Sequence, residues 1–210
     1  LHENKRQWRP DFIDLVNPSE QARLVVATDS GSYTGYSETF TARGIKLTRP
    51  SVGTWVDVGT PQNITWIEAG IDVGAKGNFY LSLDGGSNWL GSSLIGAPTW
   101  AGDSTIQVWN VDSTLNPTTN ALMRMHIFDS PTVADINYQS YSKAFTLRGM
   151  KVLSPVASNN WELGSTKAIT FLSAAAGARA SLYYSSSGGL GYDAQPIAED
   201  ISIADGLNTN

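Results

Sequence analysis

The chain has 210 residues, a formal net charge of −5 and only 16% charged residues, which is enough length for one or two hydrophobic cores. An acidic balance, with a pI near 4.9 and no basic run, argues against nucleic acid and anionic lipid as partners. There is no cysteine, which excludes disulfide staples and thiol chemistry and suits a secreted prokaryotic protein held by packing alone; no stretch of about 20 apolar residues exists to span a membrane as a helix.

In chain order, short runs rich in β-branched and aromatic residues predict strands at 22–28 (ARLVVAT), 63–67 (NITWI), 78–83 (NFYLSL), 105–111 (TIQVWNV), 122–128 (LMRMHIF) and 168–172 (AITFL). Gly, Pro, Asn, Asp and Ser bound each of them. Alternation places Ile106 and Val108 on one face, with Trp109 out of step and a bulge or twist expected there. Residues 172–181 (LSAAAGARAS) carry helical propensity that Gly177 interrupts, so a loop or one helical turn is expected. The fold class is all-β, as antiparallel sandwiches of immunoglobulin type without their Cys–Trp–Cys hallmark.

The chain also repeats itself. Residues 38–50 read ETFTARGIKLTRP and residues 143–155 read KAFTLRGMKVLSP, so Phe40, Arg43, Gly44 and Pro50 answer Phe145, Arg148, Gly149 and Pro155 at an offset of 105 (149 − 44). Beyond the prolines, Trp55, Gly59 and Trp66 answer Trp161, Gly164 and Phe171, with a one-residue slip. Upstream of Phe40, Trp8, Asn17, Pro18, Ala22 and Asp29 answer Trp109, Asn116, Pro117, Ala121 and Asp129. A period of this length is a whole domain. Three parts are expected: 1–44 as the C-terminal half of an immunoglobulin-like domain, 45–148 as a complete one and 149–210 as an N-terminal half. The two outer parts together make one period, and the chain, which opens on Leu1, reads as a segment of something longer. The joints at Gly44 and Gly149 carry no Gly/Ser linker, so they should be short and stiff.

Within the complete unit the order is KLTRP, then Trp55 and Gly59, ITW at 64–66, the LSLDGGSNW hairpin at 81–89, VWNV at 108–111, ALMRMHIFDS at 121–130 and a closing AFTLRG. This order resembles the fibronectin/immunoglobulin-like repeats of the yeast cell-wall Knh-type (Ser/Thr-rich GPI-anchored) family, similar copies of which stand in tandem in secreted prokaryotic surface proteins. In place of the family's Asn-Gly-Gly-Glu before the first tryptophan stands SVGT at 51–54. The resemblance implies a non-catalytic extracellular or cell-surface module: a surface layer, filament or adhesin stalk whose partners are other copies of itself and, secondarily, cell-surface carbohydrate. The alternative is a carbohydrate-binding or accessory module of a secreted hydrolase.

Residue chemistry is sparse. Trp55, Trp66 and Trp109 return in the repeat frame and are expected in the core, each indole N–H on a backbone carbonyl. Trp100, in a loop-like stretch, is the candidate for surface recognition of a sugar or partner. Residues 82–89 (SLDGGSNW) match the Asp-box pattern of sialidase propellers, but a single box reads as a structural hairpin in which Asp84 accepts turn amides, Gly85 and Gly86 take positive φ and Trp89 folds back. His2 and His126 are too few for a zinc site or triad. Asp57, Asp72, Asp84, Asp103, Asp112, Asp129 and Asp135 are scattered and form no calcium loop, although interdomain calcium suits surface arrays. Asp29 and Asp129 are expected to cap corresponding turns. The Asn63 sequon lies in a predicted strand. No catalytic, cofactor or metal residues are assigned, and no cofactor is expected.

Overall fold

The computed structural model describes residues 17–95, 105–129 and 138–210. The turn-bounded apolar runs form strands throughout, sixteen among the described residues, with no helix. They are β1 (Ser19–Ala22), β2 (Val25–Ala27), β3 (Thr34–Tyr36), β4 (Phe40–Ala42), β5 (Gly44–Arg49), β6 (Trp55–Asp57), β7 (Pro61–Ala69) and β8 (Lys76–Ser82). Then follow β9 (Ile106–Asn110), β10 (Thr118–Asp129), β11 (Tyr138–Tyr141), β12 (Phe145–Ser154), β13 (Thr170–Ala174), β14 (Arg179–Leu182), β15 (Ala198–Ser202) and β16 (Gly206–Thr209).

The middle of the chain is a two-layered, sandwich-like unit. One layer is the antiparallel sheet β5-β7-β9. In the other, β10 pairs with β8 along one edge and with β11 and then the start of β12 along the opposite edge, all antiparallel. The break between β11 and β12 is closed by Ser142, whose amide donates to the Met123 carbonyl (2.8 Å) while its hydroxyl accepts the Met123 N–H (2.9 Å). The short β6 lies parallel to β12. Alternate residues of both layers fill one core: Ile45, Leu47, Ile64, Trp66 and Trp109 from the first face Phe79, Leu81, Met123, Met125, Ile127, Phe145 and Leu147 from the second. Alternation of this kind is what a pleated strand imposes when one face is buried.

Two of the three expected core tryptophans are buried. Trp66 donates its indole N–H to the Glu68 carboxylate at 2.9 Å, so a side chain rather than a backbone carbonyl satisfies it. Trp55 departs from expectation, at 59% exposed. In β6 it is Val56 that points inward, fully buried, while Trp55 lies outside beneath the Arg148 guanidinium, 5.0 Å from its ring centroid. In β9 the inward residue is Trp109; Ile106 and Val108 face out, and the β7–β9 ladder runs without a bulge. The core face there is set by Trp109 and Val111. The predicted strand 22–28 is interrupted, because Ser37 accepts the Leu24 N–H on its hydroxyl (2.9 Å) and the Arg23 Nε–H on its carbonyl (3.0 Å), dividing β1 from β2. The turn after β2 is tied by Thr28 and Ser30, whose hydroxyls accept the Tyr33 and Ser32 amides at 3.3 Å; Asp29 makes no such bond among the described residues. Residues 175–178 form a turn between β13 and β14, not a helix.

Outside the middle unit, pairings recur with the same register. Ser19 opposes Ala42 and Ala22 opposes Phe40 in β1–β4, as Thr118 opposes Leu147 and Ala121 opposes Phe145 in β10–β12. Val25–Tyr36, Val26–Gly35 and Ala27–Thr34 in β2–β3 match Arg124–Tyr141, Met125–Ser140 and His126–Gln139 in β10–β11. At the other end, Gly149–Ala174, Lys151–Leu172 and Val152–Phe171 match Gly44–Ala69, Lys46–Ile67 and Leu47–Trp66, and the register shift after Val152 matches that after Leu47. The Arg49–Pro50 and Ser154–Pro155 peptide bonds are both cis.

Candidate functional site

Three places gather side chains of interest: the 82–89 hairpin, the joints at Gly44 and Gly149, and the sheet edges at either end of the described chain.

The hairpin following β8 is tied by its own polar groups. The buried Ser82 hydroxyl accepts the Gly86 (2.8 Å) and Asp84 (3.3 Å) amides and donates to Asp84 Oδ1 (2.8 Å). Asp84 in turn accepts the Asn88 amide (2.8 Å) and side chain (2.6 Å). These bonds, the Asn88 backbone amide first, hold the Asp84 carboxyl below its ordinary pKa of 3.8. Gly85 stands at φ 71° with its nitrogen donating to the Asn120 carbonyl (2.9 Å). Trp89 folds back against Tyr141, and the Arg124 guanidinium lies over both the Tyr80 and Trp89 rings at 4.5 and 4.9 Å. Both Asp84 oxygens are thus engaged inside the turn. Ser82→Ala strands two turn amides and is expected to cost about 1–3 kcal/mol, read as a lowered thermal midpoint; no change would remove the hydroxyl from its place at the centre of the turn. Residues 185–191 are built alike, with the Ser185 hydroxyl accepting the Ser187 (3.3 Å) and Gly189 (3.0 Å) amides and Ser187-Gly188-Gly189 standing where Asp84-Gly85-Gly86 does.

The joints share their contacts. Lys46 Nζ donates to Asn17 Oδ1 and Lys151 Nζ to Asn116 Oδ1, each at 2.9 Å. At the second joint Lys151 also reaches the Thr114 carbonyl. Asp112 accepts the Thr114 amide (2.7 Å), which, with Lys151 nearby, holds its carboxyl below 3.8. β12 crosses this joint without interruption, pairing β10 before Gly149 and β13 after it. Beside it Arg148 and Asp57 form a two-pronged ion pair, Nη2 to Oδ2 at 2.8 Å and Nε to Oδ1.

The Arg148 hydrogen bonds lower the Asp57 pKa and raise that of Arg148. A depressed folded-state carboxyl stabilises the fold above its unfolded pKa, and that contribution is lost as the pH falls below 3.8 toward Asp57's own lower value. Acid denaturation followed from pH 7 downward is therefore expected to be shallower in Asp57→Asn than in the natural chain. Superimposable acid limbs would show that the pair contributes nothing.

The remaining residues raised by the sequence do not converge. The His126 ring lies 5.9 Å from that of Phe128 in β10, tilted at 58°, and Asn63 is an exposed β7 residue. His2, Trp8, Trp100, Asp103 and Asp135 lie outside the described residues. Among the described residues no three His, Asp or Glu side chains gather as metal ligands, and no helix is long and apolar enough to cross a membrane.

The sheet edges at the two ends differ from the middle unit in what they cover. Met123, Met125, Phe79 and Leu81 are fully buried where β10 meets β8. Leu24 and Val26, which hold the register positions of Met123 and Met125, are exposed, Val26 at 76%. Met150, Val152, Tyr183 and Tyr192 are exposed around an open apolar cleft of about 580 Å³ floored by Phe171 and Leu182. Comparison with protein-family models, with curated proteins and with solved structures gives no match.

Proposed function

We propose that this chain is a non-catalytic structural segment of an extracellular or cell-surface protein, of the surface-layer, filament or adhesin-stalk kind. It is built of tandem immunoglobulin-like sandwiches with parts 1–44, 45–148 and 149–210, akin to the Knh-type repeats. The observation that carries the reading is the recurrence of strand register on both sides of the middle unit, down to the shift after Leu47 and Val152. Equivalent units joined by a one-residue break at Arg43 and by continuous strand at Gly149, with matching Lys–Asn bonds, transmit orientation from one to the next, which is what a spacer or lattice element requires. The engagement of Asp84 within its turn supports a structural role for the one catalytic-looking motif.

The test is location. Antibodies raised against residues 45–148 are expected to label intact cells that make the protein, in a continuous or periodic coat. Labelling only after the cells are lysed would overturn the surface role.

A further inference from the structure

The strands at the two ends have complementary unpaired edges. β2 pairs only β3, and β14 pairs only β15, among the described residues. In the middle unit, the strands at the same places pair with each other. That β14 stands where β8 does follows from its hydrogen bonds: the Leu90 and Leu94 amides donate to the Leu81 and Phe79 carbonyls, and the Asp193 and Ile197 amides donate to those of Tyr184 and Leu182. The β8–β10 ladder opposes Phe79 to Met125, Leu81 to Met123 and Asn78 to His126.

We propose that the β1–β4 hairpin region of one copy of this chain docks onto the 150–209 region of a second copy, completing there a sandwich like the middle one; the proposal rests on the tandem-sandwich reading above. Transferring the ladder gives its register: Val26 opposite Leu182, Leu24 opposite Tyr184 and Ala27 opposite Ser181. The exposed Leu24, Val26 and Tyr184 and the half-buried Leu182 then take the places of fully buried residues, which removes both an aggregation-prone edge and an open apolar face.

The flank of the same joint supplies independent complementarity. In the middle unit Arg148, just before Gly149, pairs with Asp57, two residues before Gly59, and β6 runs beside Thr146–Leu147–Arg148. Arg43 stands just before Gly44, and Glu162 two residues before Gly164. Both are exposed, and their charges match those of the established pair. The Glu162 carbonyl accepts the Ser165 amide and hydroxyl as the Asp57 carbonyl accepts those of Thr60. Residues 161–162 form no strand here, whereas their counterparts do so by pairing with β12. Volumes also compensate. Counted back from Gly59 and Gly164, Trp161 holds the place of Val56 rather than of Trp55, so the pair that corresponds to Leu147 beside Val56 is the small, already buried Ala42 beside the large Trp161. Val58 covers Gly149, whereas its counterpart Leu163 is 104% exposed. A surface donated at one end and accepted at the other is head-to-tail, so association propagates as a filament unless it closes into a ring.

The absence of native cysteine makes the register testable. Opposed Cα atoms in an antiparallel ladder lie about 4.5–5.5 Å apart, within disulfide reach. Ala27→Cys and Ser181→Cys chains, mixed and oxidised, are expected to give a heterodimer about tenfold faster than Ala27→Cys mixed with Val52→Cys, a tenfold difference corresponding to about 1.4 kcal/mol. The double variant should give a ladder of oligomers on a non-reducing gel. Arg43→Glu should slow cross-linking and Glu162→Arg in the partner should restore it. Equal rates for both cysteine pairs, a double variant that closes within one chain, or a charge reversal without effect would each overturn the proposal. Loss of association on Val26→Lys with an unchanged thermal midpoint of the middle unit would support it over misfolding. These results are independent of the cell-labelling test: a surface protein whose ends do not associate, or an associating chain that is not at the surface, would separate the two.

Discussion

Replacing Trp66 by alanine is expected to destabilise the chain by about 3–5 kcal/mol, the cost of deleting a large buried side chain and leaving a cavity. Trp66 stands in the middle of the core, its ring 5.7 Å from that of Phe79, and is 4% exposed. Its loss would also strip the Glu68 carboxylate of an indole donor. The same substitution at Trp55 should cost about 1 kcal/mol or less, since what it removes is a surface ring beneath a guanidinium. Chemical denaturation followed by circular dichroism, which does not depend on the tryptophans as reporters, gives both values. Equal costs at the two positions would mean that Trp55 carries core packing that its exposure denies.

That contrast marks where sequence reasoning succeeded and where it did not. Strand positions were readable because apolar and β-branched runs met turn residues on both sides, and β7, β8, β9, β10 and β13 all contain or closely track the expected segments. The offset between Gly44 and Gly149 was readable as well, and those glycines stand at the starts of matching ladders. Trp55 departs from the expectation because an aromatic that recurs in the repeat frame need not be buried. In a strand the deciding quantity is parity, and counting back from Gly59 places Val56, not Trp55, on the inner face. The same count would have shown that Glu162 and Asp57 share a position, and with Arg43 and Arg148 before the two glycines it would have revealed the ion pair. The hydroxyl bridges were beyond reach. Ser140 accepts the Leu47 amide at 2.8 Å across 93 residues of sequence, and nothing in either segment announces the other. The break between β1 and β2 was likewise invisible, since it depends on Ser37 folding back onto Leu24.

The joint offers the second large effect. A Cβ added at Gly149 would lie 2.5 Å from Val58 Cγ2 and 3.6 Å from Pro117. Val58 is β-branched and stiff at χ1, and its amide is tied to the Arg148 carbonyl at 3.0 Å, so it cannot swing aside without disturbing the β6–β12 pairing. Gly149→Ala is therefore expected to cost about 1–3 kcal/mol by overpacking. A double-mutant cycle identifies the cause: if the clash is with Val58, Gly149→Ala introduced into a Val58→Ala background should be much milder, leaving a coupling of about 1 kcal/mol or more. Additive costs would place the penalty in the backbone of β12 instead. The outcome bears on more than stability, because β12 serves one sheet before Gly149 and another after it. A side chain there has to displace either Val58 or the strand itself. Displacing the strand would disturb the passage of β12 from one sheet to the other, and with it the Lys151–Asn116 bond alongside.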